Sequence, residues 1–88
     1  MHRAIVTIAN KKGLHARASA KIVEAAARFQ SRILISRDGQ NVDARSIMGL
    51  MMLGASEGSQ IAIDAQGPDA AAALAAIVAL TEAKFGED

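Results

Sequence analysis

The chain has 88 residues, with ten Lys and Arg against nine Asp and Glu and a formal charge of +1. That length argues for one domain over residues 1–88, and with no cysteine disulfide frameworks, zinc knuckles and thiol catalysis are excluded. Hydrophobic residues make up 51% of the sequence and charged ones 22%, which argues against disorder. Twenty of the apolar residues are alanine, leaving 25 large side chains for one thin core of helices on a sheet. No apolar run approaches a membrane span, and the opening Met1-His2-Arg3-Ala4-Ile5-Val6 lacks the layout of a signal peptide. A cytoplasmic protein without membrane insertion is expected. Residues 1–37 carry +7 and residues 38–88 carry −6. An electropositive surface suited to a phosphate or acidic partner, or charges that intermix on folding, would each produce this split.

Taken in chain order, residues 3–9 are β-branched and predict a strand, with Ala4, Val6 and Ile8 on one face. Asn10-Lys11-Lys12-Gly13 is a loop. From 16 to 29 the period becomes helical: Arg17, Lys21, Glu24 and Arg28 make a polar face opposite Ile22, Val23, Ala26 and Phe29. Residues 32–36 form a strand, Asp38-Gly39 suits a type I′ turn, and 40–43 return as its partner. Ser46 as N-cap and Gly54 as C′ residue bracket a helix of about two turns. Residues 60–66 alternate, with Ile61, Ile63 and Ala65 on one face. Gly67-Pro68-Asp69 starts a last helix whose buried stripe is Leu74, Ile77, Val78, Thr81 and Phe85. The order β-α-β-β-α-β-α predicts an α+β open sandwich with the helices on one face.

The stretch Lys11-Lys12-Gly13-Leu14-His15-Ala16-Arg17 concentrates the chemistry. A basic loop delivers His15 to a helix start, where free backbone N–H groups and about half a positive charge favour an anion. Imidazole is a nucleophile near neutral pH and also a leaving group, so one histidine can accept a phosphoryl group and yield it again. A simple helix cap is the plainer alternative, and His15 taken alone leaves both open. Ser19 lies four residues on, but no acid lies nearby to orient His15, which disfavours a hydrolytic triad. No partners stand at metal-ligand spacing, and His2 lacks any comparable setting.

The short helix after Ser46 is apolar all round, so part of it must be exposed or covered by a partner. Leu50 and Leu53 are assigned to the core, and Ile47, Met48 and Met51 to an exposed patch, where methionine suits adaptable binding. Ser46 caps this helix. Its hydroxyl also stands where a phosphate would be tolerated, placing double negative charge beside the patch and repelling an acidic partner. Nucleic-acid binding through Lys11, Lys12, Arg17 and Lys21 is disfavoured, since the cluster has no aromatic residue for stacking. An acyl carrier attached at Ser46 is disfavoured because the first helix is basic and no acid precedes that serine.

Gly13-Leu14-His15-Ala16-Arg17 and Ser46-Ile47-Met48-Gly49-Leu50-Met51, within this order of elements, resemble the HPr family. These are the histidine-containing phosphocarriers of the bacterial phosphoenolpyruvate-dependent phosphotransferase system. The resemblance implies a four-stranded antiparallel sheet with three helices on one face. It implies that enzyme I phosphorylates His15 on Nδ1, that an enzyme IIA component receives the group, and that Arg17 contacts the phosphate. It implies a kinase, with a matching phosphorylase, acting on Ser46 to weaken the encounter with enzyme I. The implied partner surface joins Lys11, Lys12 and Lys21 to Ile47, Met48 and Met51. A carrier of this kind needs no cofactor or metal and is expected to act as a monomer rather than as a stand-alone enzyme. One departure is Ala18, where the family usually has proline. It bears on transfer rate and leaves open a nitrogen-regulatory paralogue whose phosphorylation state signals instead of driving sugar uptake.

Overall fold

β-Branched residues in alternation build four strands in a computed structural model that describes residues 2–87. These are β1 (His2–Thr7), β2 (Arg32–Arg37), β3 (Gln40–Asp43) and β4 (Gln60–Gln66). They form one sheet in the order β1-β4-β2-β3, and every pairing is antiparallel. The register sets Val6 against Ile61, Ala4 against Ile63 and Ile35 against Ile63, so the apolar faces of three strands coincide. Three helices cover that face: α1 (Ala16–Ala26), α2 (Ile47–Met52) and α3 (Ala70–Glu82). Ile22, Ile33, Ile35, Leu50, Ile61, Ile63 and Ile77 are fully enclosed between the layers, each stabilising by about 1.5–3 kcal/mol relative to exposure. The opposite sheet face is open, and Ile5 there is 62% exposed. This is the open-faced α+β sandwich that the sequence predicts.

Local signals place several features correctly. Asp38 and Gly39 have φ of 51° and 83°, the left-handed pair a type I′ turn demands. Ser46 Oγ accepts the Gly49 N–H at 3.0 Å, and Gly54 closes α2 at φ 63°. A Cβ on Gly49 would stand 3.0 Å from Val42 Cβ, so glycine lets α2 lie close on β3.

The ends of the elements differ from expectation where distant groups intervene. β1 spans 2–7, not 3–9: Ile8 leaves the ladder to bond the Ser59 carbonyl and the Gly58 N–H, each at 2.8 Å. α1 stops at Ala26, not at residue 29: the Arg28 and Phe29 N–H groups turn to the Ala25 and Ala26 carbonyls at 3.2 and 3.1 Å, and the Arg45 guanidinium takes the carbonyls of Ala26 and Phe29 at 3.3 and 2.7 Å. α3 begins at Ala70, so Pro68 lies before it. The Asp69 carboxylate does not cap α3; it accepts the N–H groups of Gln30 and Ser31 at 3.0 and 2.9 Å and the Ser31 hydroxyl. The buried face of α3 is Ala70, Ala73, Ile77 and Thr81, while Leu74 and Val78 are only half-buried. Phe85 is fully buried but lies outside the helix, in a 3₁₀ turn over Lys84–Gly86.

Candidate functional site

The site is built where the loop after β1 meets the loop before β4. Gly13 has φ +64°, and a Cβ there would lie 2.3 Å from the Ala55 carbonyl oxygen. Only glycine permits this approach, which is fastened by the Leu14 N–H on the Ala55 carbonyl at 2.9 Å. The next residue is His15, extended in backbone and acting as N-cap of α1. Its Nδ1 accepts the backbone N–H groups of Arg17 and Ala18 at 3.1 and 3.3 Å. Two donors facing Nδ1 assign the ring proton to Nε2. The Nδ1 lone pair therefore lies in the positive field of a helix start, the setting for bonding to an anionic group.

Nε2 stands 2.6 Å from Glu87 Oε2, and both side chains are mostly shielded, at 24% and 22% exposure. The expectation that no acid lies near His15 is thus corrected. The acid comes from 72 residues away, beyond the reach of local motifs. Its delivery depends on the turn after α3. Lys84 and Phe85 adopt left-handed φ of 56° and 57°, the buried Phe85 ring anchors the turn, and the Lys21 ammonium donates to the Phe85 carbonyl. Asn10, fully buried, then donates through Nδ2 to Glu87 Oε1 at 3.1 Å and to the Gly13 carbonyl at 2.9 Å. Shielding from water opposes the Glu87 charge, but the hydrogen bonds from Asn10 and His15 and the nearby positive charge of Lys12 prevail. The carboxyl is held below its ordinary range.

Two clefts flank the histidine. Lys11, Lys12, Arg17 and Glu87 line one of about 370 Å³. Lys12, His15, Met51 and Ala55 line another of about 320 Å³. The structure thus brings Lys11, Lys12, Arg17 and Met51 around His15. Lys21 is engaged inward with the turn after α3. Ser19 is buried, its hydroxyl donating to the Leu14 carbonyl at 3.2 Å, and it is no partner for the imidazole. On α2, Ile47, Met48 and Met51 are exposed and Leu50 is buried, as is Leu53 just past the helix, as expected; Met52, at 73% exposure, extends the patch. Ser46 is half-buried at the start of that helix. Sequence reasoning missed Asn10, Glu87 and Met52. For Glu87 the only local hint is Phe85-Gly86, an aromatic anchor and a flexible residue just past a helix.

An open-faced sandwich with a histidine at a basic helix start and an apolar second helix defines a class of small group carriers. Residues 2–83 match the family model PTS-HPr, described as the PTS HPr component phosphorylation site. The chain is 52% identical over 81 residues to a phosphocarrier protein HPr of Cupriavidus necator, covering 92% of this chain and 91% of that one. It is 46% identical over 82 residues to a phosphocarrier protein NPr of Shewanella violacea, covering 93% and 90%. Among solved structures, an HPr from Thermoanaerobacter tengcongensis superposes with a TM-score of 0.96 at 44% identity, covering 100% of this chain and 99% of that one. An HPr dimer from the same organism gives 0.79 at 45% identity over 99% and 100%. The chain belongs to the HPr family of phosphocarriers of the phosphotransferase system.

Proposed function

We propose that this protein accepts a phosphoryl group on His15 Nδ1 from enzyme I, which draws it from phosphoenolpyruvate, and passes it to enzyme IIA components. The observation that carries this reading is the pairing of Nδ1 with two backbone N–H groups at the start of α1. A phosphoryl group on Nδ1 would take over those donors, with the Arg17 guanidinium as its side-chain contact. The cations of Lys11, Lys12 and Arg17 offset its charge, and among the described residues the cleft they line is open, which suits a group that must leave again. The patch of Ile47, Met48 and Met51, which reaches the other cleft at His15 through Met51, serves as the apolar half of the partner surface. We further infer that a kinase modifies Ser46, placing a dianion beside that patch and weakening the encounter with enzyme I.

Acting as one domain and as a monomer lets a single face meet successive partners in the cytoplasm. Among the described residues no helix is long and apolar enough to cross a membrane. Similarity to an NPr protein supports service in a nitrogen-regulatory branch as the second reading. Competition between sugar-branch and nitrogen-branch enzyme I for the same chain separates the two. The central test is incubation with phosphoenolpyruvate and enzyme I, read by intact mass at alkaline pH. One added phosphoryl group, lost in mild acid and absent from His15→Ala, is the expected result. Acid-labile labelling of His15→Ala would overturn the assignment.

A further inference from the structure

We propose that Glu87 is a positioning residue for His15: its carboxylate holds the imidazole through Nε2–H and balances the positive charge the ring acquires when Nδ1 bonds phosphorus. The proposal rests on the phosphocarrier reading and goes beyond the residues that reading uses.

Three observations converge on it. Glu87 Oε2 lies 2.6 Å from Nε2, on the ring edge away from the backbone donors at Nδ1. The other carboxylate oxygen is tied by Asn10 Nδ2 at 3.1 Å, and Asn10 is itself fixed in a fully buried position on the Gly13 carbonyl. The backbone that delivers Glu87 is held in an unfavourable conformation: Lys84 and Phe85 have φ of 56° and 57°, where side-chain-bearing residues are rare. The buried Phe85 ring and the Lys21 ammonium keep it there. Strain retained by independent anchors beside reacting atoms marks a conformation held for a purpose. Asn10, Glu87 and His15 thus form a chain in which each group orients the next, as nucleophile, base and orienter do elsewhere.

The step balances without any further reactant. The Nδ1 lone pair bonds phosphorus as the donor's bond to phosphorus breaks, and that electron pair leaves with the donor. The Nε2 proton stays, so the ring becomes cationic directly against the Glu87 carboxylate. In the onward step the N–P pair returns to Nδ1, and a neutral imidazole leaves. A carboxylate on Nε2 therefore supports the cation during acceptance and keeps Nε2 protonated, which preserves imidazole as the leaving group.

The test combines proton NMR of the ring N–H with the rate of phosphoryl acceptance from enzyme I and phosphoenolpyruvate, using the full chain. Wild type should show a sharp downfield N–H coupled to Nε2. Glu87→Ala should broaden that signal into exchange with water and slow acceptance about tenfold, the loss expected for one charge-assisted hydrogen bond. Glu87→Gln should keep the signal, since an amide oxygen also accepts, while its rate stays reduced because the charge is gone. A Glu87→Ala chain that keeps both signal and rate overturns the role of Glu87 while the phosphocarrier reading stands. A wild-type chain that takes no phosphoryl group from active enzyme I overturns the phosphocarrier reading, and this proposal with it.

Discussion

Gly13, Ala18 and Ser46 each do a job that a single substitution can isolate. At Gly13 an added Cβ meets the Ala55 carbonyl at 2.3 Å and Ser56 Cα at 2.8 Å, at φ +64°. Gly13→Ala is expected to cost about 2–4 kcal/mol from backbone strain plus overpacking, measured by urea denaturation. Ala18 supplies one of the two N–H groups on Nδ1; proline, usual here in the HPr family, has none. The phosphorylated form of Ala18→Pro should then hydrolyse about fivefold faster, the equivalent of one hydrogen bond of about 1 kcal/mol. Following its lifetime by intact mass checks this. Ser46→Ala removes the cap on Gly49 and should cost about 1 kcal/mol in thermal or urea unfolding, whereas Ser46→Asp keeps a capping oxygen and should cost little. The capping of α1 by His15 and of α2 by Ser46 could be read from the chain because helix-start chemistry is local. Asn10 and Glu87 could not, since their contact spans 77 residues and depends on where α3 ends.

The same division between local and remote causes governs the helices and strands. The Asp38-Gly39 hairpin and the Ser46–Gly54 bracket of α2 were readable because backbone preference alone determines them. The ends of α1 and α3 were not. Arg45 closes α1 from 16 residues beyond Phe29, and Ser31 holds Asp69 from 38 residues before it. The stripe on α3 shifted toward Ala70 and Ala73 because small side chains let that helix lie close to the sheet, leaving Leu74 and Val78 half-buried. On α2 the four residues Ile47, Met48, Met51 and Met52 face outward without contributing to the core. Met48→Ser and Met52→Ser, at 70% and 73% exposure, should change unfolding free energy by no more than about 0.5 kcal/mol. Calorimetric titration with enzyme I should nonetheless show weaker binding for the pair.

Across the fold, the charge division along the chain is partly cancelled and partly kept. Arg3 meets Asp64 at 3.4 Å and His15 meets Glu87, while Lys11, Lys12 and Arg17 gather at one cleft. Among the described residues, two carboxyls carry a pH dependence. Asp69 is lowered chiefly by the Ser31 hydroxyl and by backbone donors, Glu87 by the bonds and charge described above. Each binds protons less readily folded than unfolded, so the stability it adds is complete above its ordinary value. That stability is lost as pH falls through the lower folded value. The urea midpoint should therefore decline on acidification below about pH 4.5, the ordinary value for a free glutamate. Asp69→Asn should flatten part of that decline; an unchanged profile would show that Asp69 contributes nothing to it.

The strand order has a kinetic corollary. β4 lies between β1 and β2 and is the last strand in the chain, so neither of those two has its central neighbour until residues 60–66 are available. During synthesis on the ribosome, only the β2–β3 hairpin can form early, and the apolar faces of β1 and β2 wait uncovered. Nucleation is therefore non-local and comparatively slow, and the waiting strands are the segments most open to self-association or to capture by a chaperone. A product released before residue 60 should partition to aggregates, whereas one extended through α3 should fold.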